Sequence, residues 1–465
     1  MSVDARRYLC VHGHFYQPPR EDPETGLVPM ERGAQPFHDF NEKILSECYR
    51  PNAELGNFDQ MSFDLGPTLG LWMQRYHPDV LGRIAEADRG AVRVTGYGNA
   101  IAQSFHHTIL PLANERDRRT ELRWGIRWFE QTFGRRPRGI WLPETAVDTA
   151  TLESCVAEGL TFTIFSPDQA AERIDTRRPY RVDLPSGASI DVLFYEGPLS
   201  GTVSFNPHDT DSAEHFLEHF VMPRLDALHE VSPLNPAVVI ASDGEVYGHH
   251  HRFKDHFLQD LLTVRAPSRG VEAVSLERYL SLETSRASVR IKERSSWGCG
   301  HGLSRWNDDC DCTPGDGSWK RDLRESFDRL ADRIDCVSED VVNRLGLNPW
   351  AMRDEYVDVV IGAQSLEDWL GDRSLRATSE AAATVATVME AQRFRLAMYA
   401  SCAFYWDDLT RIEAGYGVRS ALHAARLMDH RFGTDLRQGF EEDLSDVNGW
   451  KSDKSAAELY ARKSA

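Results

Sequence analysis

Two short motifs each contain a carboxylate that could take part in catalysis. The segment WLPE ends in Glu144, and the segment SDGE contains Asp243 together with Glu245. Two carboxylates suit glycosidic chemistry, because an ionised one attacks the anomeric carbon while a protonated one delivers its proton to the leaving oxygen. The alternative for Glu144 and Asp243 is that each is an ordinary solvated carboxylate in a loop. For Asp243 this is supported by the following glycine, because Asp-Gly is a common turn pair. Glu245 is a second candidate for the proton donor.

Histidines accompany these carboxylates. The segment HGHFYQP contains His12, His14 and Gln17, and His107 follows shortly after the glycine-rich segment GYGN. The run 249–251 adds three more histidines after SDGE. We interpret this run as a solvated loop or a hydrogen-bonding neighbour of Asp243 rather than as a metal-ligand set.

A third group combines cysteine and histidine. Four soft or borderline ligands lie within fourteen residues, namely Cys299, His301, Cys310 and Cys312. Three cysteines and one histidine form a recognised structural zinc set, although C-x-H and C-x-C pairs are tighter than the usual spacing. The alternative is a set of reduced cysteines, with His301 and the acids Asp308, Asp309 and Asp311 near a substrate. The remaining cysteines are scattered, which argues against a disulfide framework.

Tryptophan is frequent, with eleven residues in the chain. Four of them stand beside polar motif residues, where their faces could stack on pyranose rings: Trp141, Trp297, Trp306 and Trp406. Trp124 and Trp128 are four residues apart in a helical pattern, so we expect them in a core.

The elements that would position these residues alternate between strand and helix over the first 280 or so residues. We predict strands at 8–11, 92–96, 139–142, 161–165, 190–195 and 238–241, and helices at 115–133 and 212–228. Such alternation indicates a parallel sheet, and the absence of G-x-G-x-x-G and Walker patterns favours an α/β barrel that is not fully eightfold. In such barrels the catalytic residues follow the carboxyl ends of strands, where the motifs above stand.

After about residue 293 the pattern becomes helical, with predicted helices at 321–345, 379–400 and 407–428. We therefore expect a catalytic barrel domain over 1–290 and a helical C-terminal domain over 291–465. The segment 295–319 shows neither the helical nor the strand periodicity of apolar residues, and we predict that it is a long functional loop or a domain junction.

Composition limits the partners. The formal charge of −19 disfavours nucleic acid and anionic membranes but fits a neutral polysaccharide. No apolar stretch is long enough to span a membrane, and the N-terminal residues do not have the pattern of a secretory signal. We expect a cytoplasmic protein, and the sequence predicts no oligomeric state.

HGHFYQP, the glycine-rich segment before His107, WLPE and SDGE, in this order, resemble glycoside hydrolase family 57, which includes α-amylases, 4-α-glucanotransferases and α-glucan branching enzymes. The resemblance implies an incomplete (β/α)7 barrel followed by a helical region that closes over the active site. It implies a retaining reaction on an α-glucan or malto-oligosaccharide that needs no cofactor, with Glu144 as nucleophile and Asp243 as acid/base.

The resemblance also implies that His14 lines the sugar subsite, with His12, Gln17 and His107 as supporting contacts. The segments 295–312 and 401–408 resemble a branch with an appended C-terminal domain of unassigned function. In better-known relatives an aromatic residue and an acid from the helical domain cover the substrate. Trp406 and Asp407 would be the matching pair, in reversed order.

Three hypotheses remain from the sequence. The first is the α-glucan hydrolase or transferase, where water or a sugar hydroxyl resolves the covalent intermediate. The second is a metal-dependent carbohydrate hydrolase or deacetylase, whose cation would be held by His12, His14 and an acid; the usual His-Asp pairing on the first strand is absent, and WLPE has no role there. The third is a catalytically inactive sugar-binding homologue, which the presence of both carboxylates disfavours.

Overall fold

The computed structural model describes residues 6–227 and 235–461. Its contacts divide the chain into two compact units. The barrel unit comprises the chain up to Gln17, Met30–Ser104 and Phe129–Gly298. The helical unit comprises Pro18–Pro29, Phe105–Trp128 and the chain from Cys299 onward. The expected functional division at residue 290 stays a prediction.

A single curled sheet forms the centre of the barrel unit. Its strands are β1 Arg7–Phe15, β2 Ser62–Leu65, β3 Ala100–Gln103, β4 Gly139–Trp141, β5 Phe162–Phe165, β6 Tyr180–Asp183, β7 Ser189–Phe194, β8 Ala237–Asp243, β9 Val271–Ala273 and β10 Ala287–Ser288. The order is β10-β6-β7-β5-β4-β3-β2-β1-β8, and β9 also pairs with β1. Within it, β7-β5-β4-β3-β2-β1-β8 pair in parallel, while β6 and β7 are antiparallel. This confirms the predicted incomplete (β/α)7 barrel.

The strand predictions are confirmed for β1, β4, β5, β7 and β8, but one is wrong. Residues 92–96 were expected to form a strand, whereas helix Pro78–Thr95 continues through them. Its buried residues include Val80, Ile84 and Ala87, at helical spacing, and Gly96 ends it with a left-handed φ of 80°. The alternation of Val-Arg-Val-Thr thus belongs to the last turn of an amphipathic helix.

Helices alternate with the strands of the sheet along the chain. The α-helices of the barrel unit are Phe40–Ile44, Arg50–Leu55, Pro67–Tyr76, Pro78–Thr95, Thr149–Ala157, Gly197–Phe205, Ala213–Phe216, Met222–Asp226, Lys254–Asp260, Ala266–Ser268 and Leu276–Leu282. Helix Glu115–Phe133 has the bounds predicted for it. Trp124 and Trp128 are both buried, as expected for core residues.

The helical unit contains the α-helices Ser304–Asn307, Trp319–Asn343, Pro349–Glu355, Val357–Val360, Leu366–Gly371, Glu380–Ala397, Cys402–Tyr405, Ile412–Phe432 and Leu436–Leu444. The three long ones confirm the predicted C-terminal helices to within a few residues at each end. Across residues 6–227 and 235–461, no helix has both the length and the apolar character that a membrane span requires.

Strand β1 shows how the core leads into polar chemistry. Alternate side chains of a strand lie on the same face, so Tyr8, Cys10, His12 and His14 share one face of the sheet. Tyr8 and Cys10 pack in the apolar core with residues such as Val239 of β8. The next two residues on this face are the histidines, near the carboxyl end of the strand.

Candidate active site

Strand register assembles the site at the carboxyl ends of the central strands. His14 of β1 lies opposite Asp243 of β8 on one side and opposite Asp64 of β2 on the other. Two strands further on, Gln103 of β3 lies opposite Trp141 of β4, the first residue of WLPE. The polar residues therefore form an arc along adjacent strand ends, with Asp243 and the WLPE motif at its two ends.

Glu144 follows β4 on a strained stretch of backbone. Its φ is 57° and that of Thr145 is 49°, both in the left-handed region that non-glycine residues rarely adopt. The buried side chain of Thr145 donates a hydrogen bond to Gln169 Oε1 at 2.8 Å, and Gln169 Nε2 donates to the Thr145 carbonyl at 2.8 Å. Strain of this kind persists only where surrounding contacts fix the conformation, and it is concentrated at functional sites.

Trp297 fixes the Glu144 carboxylate. The indole Nε1 donates to Oε2 of Glu144 at 3.0 Å, while the Trp297 backbone N–H donates to the Glu144 carbonyl at 3.1 Å. The Trp297 ring also packs edge-on against Trp141, with centroids 4.8 Å apart. Glu144 is half-buried. The carboxylate is thus held at the barrel mouth beside two aromatic rings.

The two predicted histidines share one carboxylate. Asp64 binds His12 Nε2 at 3.0 Å through Oδ1 and His14 Nδ1 at 2.8 Å through Oδ2. Both rings stack on Trp141, with centroids 5.0 and 4.9 Å away. Burial lowers the pKa of His12 despite this pairing. Burial also opposes charge on His14, but the Asp64 carboxylate outweighs it and raises the pKa of His14 to about 9.

Because the two imidazoles and Asp64 are paired with one another, the arrangement does not resemble a metal site. Among the described residues, the group whose ligand atoms lie close enough for one ion is the Cys/His group of the helical unit. The metal-dependent alternative therefore gains no support from the residues at the first strands.

Sequence reasoning missed Asp64 and Gln103. Gln103 Nε2 donates to Asp64 Oδ2 at 2.5 Å. Its Oε1 and the indole Nε1 of Trp141 are buried and have no hydrogen-bond partner among the described residues. Buried polar atoms are normally satisfied, so these two atoms are exceptions among the residues around the site. Asp64 is the third residue of the four-residue strand β2 and Gln103 is the last residue of β3, and neither strand carried a sequence signal that would have found them.

Asp243 and Glu245 differ sharply in environment. Asp243 is exposed, whereas Glu245 is buried and accepts a hydrogen bond from the Tyr49 hydroxyl at 2.6 Å. Burial, reinforced by the charge of Asp243, raises the pKa of Glu245 to about 7. Of the two, Asp243 presents the accessible carboxyl.

Other predicted residues of the barrel unit have partners near the site. His249 Nδ1 binds Glu47 Oε2 at 2.6 Å, and His251 Nε2 binds the Ser204 carbonyl at 2.9 Å. Gln17 is half-buried, and its carbonyl accepts from Thr68 Oγ1 at 2.9 Å.

Four predicted contacts belong to the helical unit, where their substrate roles stay predictions. His107 is buried, has a left-handed φ of 58° and binds Ser401 Oγ at 2.6 Å through Nδ1. Trp306 is 0% exposed, as in a core side chain. Trp406 is half-buried beneath the Arg411 guanidinium, 4.4 Å from the ring centroid. Asp407 pairs with Lys451, whose hydrogen bond lowers the pKa of Asp407.

The predicted Cys/His group does come together. The ligand atoms of Cys299, His301, Cys310 and Cys312 all lie within 4.8 Å of one another. All four residues belong to the helical unit.

Comparison with known proteins is consistent with this geometry. An exo-type maltose-forming amylase from Pyrococcus sp. ST04 shares the fold with a TM-score of 0.72 and 14% sequence identity, over 94% of this chain and 82% of that chain. A branching enzyme from Pyrococcus horikoshii matches with a TM-score of 0.61 and 18% identity, over 94% of each chain. A 4-α-glucanotransferase from Thermococcus litoralis matches with a TM-score of 0.58 and 15% identity, over 92% of this chain and 60% of that chain. No curated protein sequence matches the chain significantly.

Two family models match the sequence directly. Residues 316–463 match a domain of unknown function, DUF3536. Residues 7–292, which include every strand of the curled sheet and both candidate catalytic carboxylates, match glycosyl hydrolase family 57. With that match over more than half of its length, the chain belongs to glycosyl hydrolase family 57.

Proposed function

We propose that this chain acts on α-glucans through a covalent glycosyl-enzyme, with Glu144 as the nucleophile and Asp243 as the acid/base. Glycosyl hydrolase family 57 is a group of retaining enzymes that act on α-glucans, and no cofactor takes part in their chemistry. What we propose for this chain in particular is the role of each residue and the acceptor that resolves the covalent intermediate.

The observation that carries the proposal is the fixed position of Glu144. A nucleophile must be ionised and aimed at the anomeric carbon. The indole N–H of Trp297 donates to Oε2 and orients the carboxylate, and the left-handed backbone at Glu144 and Thr145 directs the side chain. In the first step this carboxylate attacks the anomeric carbon, and the bond to the leaving oxygen breaks.

Asp243 is the better candidate for proton transfer. The donor must reach the leaving oxygen, and Asp243 is exposed at the end of β8, whereas Glu245 is buried against Tyr49. Asp243 would give its proton to the leaving sugar in the first step. In the second step it would remove a proton from the incoming water or sugar hydroxyl.

The lining of the site suits a neutral sugar. The half-buried Trp297 offers aromatic surface beside Glu144, and its ring packs against the fully buried Trp141. The formal charge of −19 is compatible with an uncharged polymer. His12 and His14, held by Asp64, would fix the orientation of the bound ring.

Both outcomes of the second step are within the proposal. The solved structures that share this fold include an amylase, a branching enzyme and a glucanotransferase. Water as acceptor gives hydrolysis, and a sugar 4- or 6-hydroxyl gives transfer or branching.

The test is product analysis of the purified chain on amylose and maltoheptaose, beside Glu144→Gln and Asp243→Asn. We expect the wild type to change chain lengths or to create branches, and both variants to lose this activity. New reducing ends without longer products indicate hydrolysis, while longer or branched products without new reducing ends indicate transfer. Wild-type protein that leaves every α-glucan unchanged would contradict the proposal.

We also propose a reducing compartment for this protein, in line with the expected cytoplasmic location. None of the eight cysteines, all of which lie among the described residues, forms a disulfide, as is typical of reducing compartments. A structural zinc ion in the helical unit is a separate proposal, since it would take no part in the steps above.

A further inference from the structure

The Cys/His group, defined as Cys299, His301, Cys310 and Cys312, has the dimensions of a tetrahedral metal site. Cys299 Sγ lies 3.5 Å from Cys310 Sγ and 3.6 Å from Cys312 Sγ. His301 Nδ1 lies 3.4 Å from each of the sulfurs of Cys310 and Cys312. Metal–sulfur bonds of about 2.3 Å and metal–nitrogen bonds of about 2.0 Å give tetrahedron edges of about 3.8 Å between sulfurs and about 3.5 Å between sulfur and nitrogen.

The local backbone directs both pairs of ligands toward one point. The Gly302 N–H donates to the Cys299 carbonyl at 3.2 Å, and the Thr313 N–H donates to the Cys310 carbonyl at 3.0 Å. Each C-x-H or C-x-C pair therefore lies in a closed turn, with its two ligands on the same side. Cys299 and Cys310 are buried, and Cys312 is half-buried.

A disulfide does not account for this arrangement. A disulfide requires sulfurs about 2.05 Å apart, whereas these sulfurs are 3.5 and 3.6 Å apart and one of them has two sulfur neighbours. The neighbouring acids have other roles. Asp309 Oδ1 accepts from the N–H groups of Cys310 and Gly317, and Asp308 pairs with Arg321.

The surrounding charge also fits a bound ion. Three thiolates and one imidazole around a divalent cation carry a net charge of −1. Lys320 is buried nearby, and its ammonium donates to the Arg305 carbonyl at 2.8 Å and to Thr313 Oγ1 at 3.4 Å. No carboxylate of the described residues forms an ion pair with it, so the anionic metal site would place a compensating negative charge beside this ammonium.

We propose that the Cys/His group binds one structural zinc ion. Thiolates with an imidazole suit zinc, and the 4.8 Å limit on ligand separations leaves room for one ion rather than for an iron–sulfur cluster. Four protein ligands close the coordination sphere, so the ion has no open position for water or substrate. It joins the turn at 299–302 to the turn at 310–313, across the short helix Ser304–Asn307 that lies between them in the sequence.

The test is metal analysis of the dialysed full chain by mass spectrometry. Wild type is expected to retain about one zinc per chain, and the double variant Cys310→Ser/Cys312→Ser less than about a tenth of that. Cys336→Ser, which removes an exposed thiol outside the group, is the matched control and should retain the full amount. Glu144→Gln should also retain it, which separates this proposal from the glycosidase proposal.

Cobalt binding to the wild type covers the case in which the double variant does not fold. After chelation, added cobalt should produce a thiolate charge-transfer band that saturates at one equivalent and disappears when zinc is added. Wild type that retains no zinc and gives no cobalt band would overturn the proposal. Stoichiometric iron or copper, undiminished zinc in the double variant, or a Cys–Cys disulfide found by peptide mass would overturn it equally.

Discussion

The indole N–H of Trp297 donates to the Glu144 carboxylate at 3.0 Å, and this bond joins residues 153 positions apart in the sequence. The same tryptophan donates from its backbone to the Glu144 carbonyl. A hydrogen bond to an ionised carboxylate contributes about 1.5–3 kcal/mol. The proposed nucleophile is therefore oriented by a residue from a segment without regular structure.

Trp297→Phe should lower kcat by about 10-fold or more, because phenylalanine keeps an aromatic ring but removes the donor to Glu144. The measurement is steady-state kinetics on maltoheptaose. Trp350→Phe is the matched control, since Trp350 Nε1 donates to Glu339 Oε1 at 2.9 Å in the helical unit. Equal kinetics for Trp297→Phe and wild type would contradict the role of this bond.

Asp243→Asn should reduce activity on maltoheptaose by roughly 10²–10⁴-fold, because the leaving sugar then receives no proton. The loss should be much smaller for glycosyl-enzyme formation from α-maltosyl fluoride, whose leaving group needs no proton. Burst-phase release of fluoride measures this step. Glu245→Gln is the control and should retain activity on both substrates. The opposite pattern, with Glu245→Gln rescued by the fluoride, would make Glu245 the acid.

Glu245 should also make stability depend on pH. Its pKa in the folded chain is about 7, above the ordinary value for a glutamate, chiefly because it is buried. Folding therefore favours the protonated form. The contribution of Glu245 to the free energy of unfolding is fully present below the pKa of the unfolded chain and is lost as the pH rises through about 7.

The glutamine of Glu245→Gln stays neutral at every pH. The free energy of unfolding of this variant, relative to that of wild type, should therefore rise by roughly 2 kcal/mol as the pH goes from 5 to 8. Unfolding midpoints at the two pH values measure this gain. The exposed Glu54→Gln is the control and should show no such trend. A constant difference between Glu245→Gln and wild type across this range would show that Glu245 titrates normally.

The helical unit contains a buried ion network. Asp117 binds Arg353 at 2.9 Å and also binds Arg395, which in turn binds Asp335 at 3.0 Å. Asp117→Asn leaves two buried guanidinium groups short of a counter-charge, and this should destabilise the unit by about 3–5 kcal/mol at pH 7. Burial alone would raise the pKa of Asp117, but Arg395 and Arg353 lower it.

The contribution of Asp117 is consequently present above its unfolded pKa and is lost as the pH falls through the folded value. Calorimetry at pH 7 and pH 3 should show a large difference between Asp117→Asn and wild type at pH 7 and a smaller one at pH 3. Asp358→Asn breaks a partly exposed pair with Arg127 and should cost less than about 1 kcal/mol. If the two variants lost the same free energy of unfolding, burial would not increase the contribution of the Asp117 ion pairs to stability.

The sequence predicted those parts of the fold whose signals are local. The apolar runs of β1, β5 and β8 and the long C-terminal helices could be recognised from periodicity alone. Strand β2 (SFDL) has no apolar run and β3 (AIAQ) has only three apolar residues, two of them alanine, so neither strand was predicted and Asp64 and Gln103 were missed. Their importance depends on register across the sheet, which no local pattern contains.

The candidate site shows the same distinction. WLPE and SDGE could be found as motifs, but the donor to Glu144 lies in a loop that pairs with Val147 and Thr145 only after folding. Similarly, the sequence offered four metal-binding residues at unusual spacing. Two tight turns bring them together, and the eight residues between His301 and Cys310 had to fold back for this to happen.

The central claim is a covalent bond between Glu144 and the sugar, and trapping that intermediate tests it most directly. The Asp243→Asn variant would be incubated with α-maltosyl fluoride, quenched in acid and digested, and its peptides would be analysed by mass spectrometry. We predict that the peptide containing Glu144 gains the mass of one maltosyl group, and that Glu144→Gln/Asp243→Asn gains none. Fluoride release by the single variant with an unmodified Glu144 peptide, or with the sugar on another residue, would contradict the proposed mechanism.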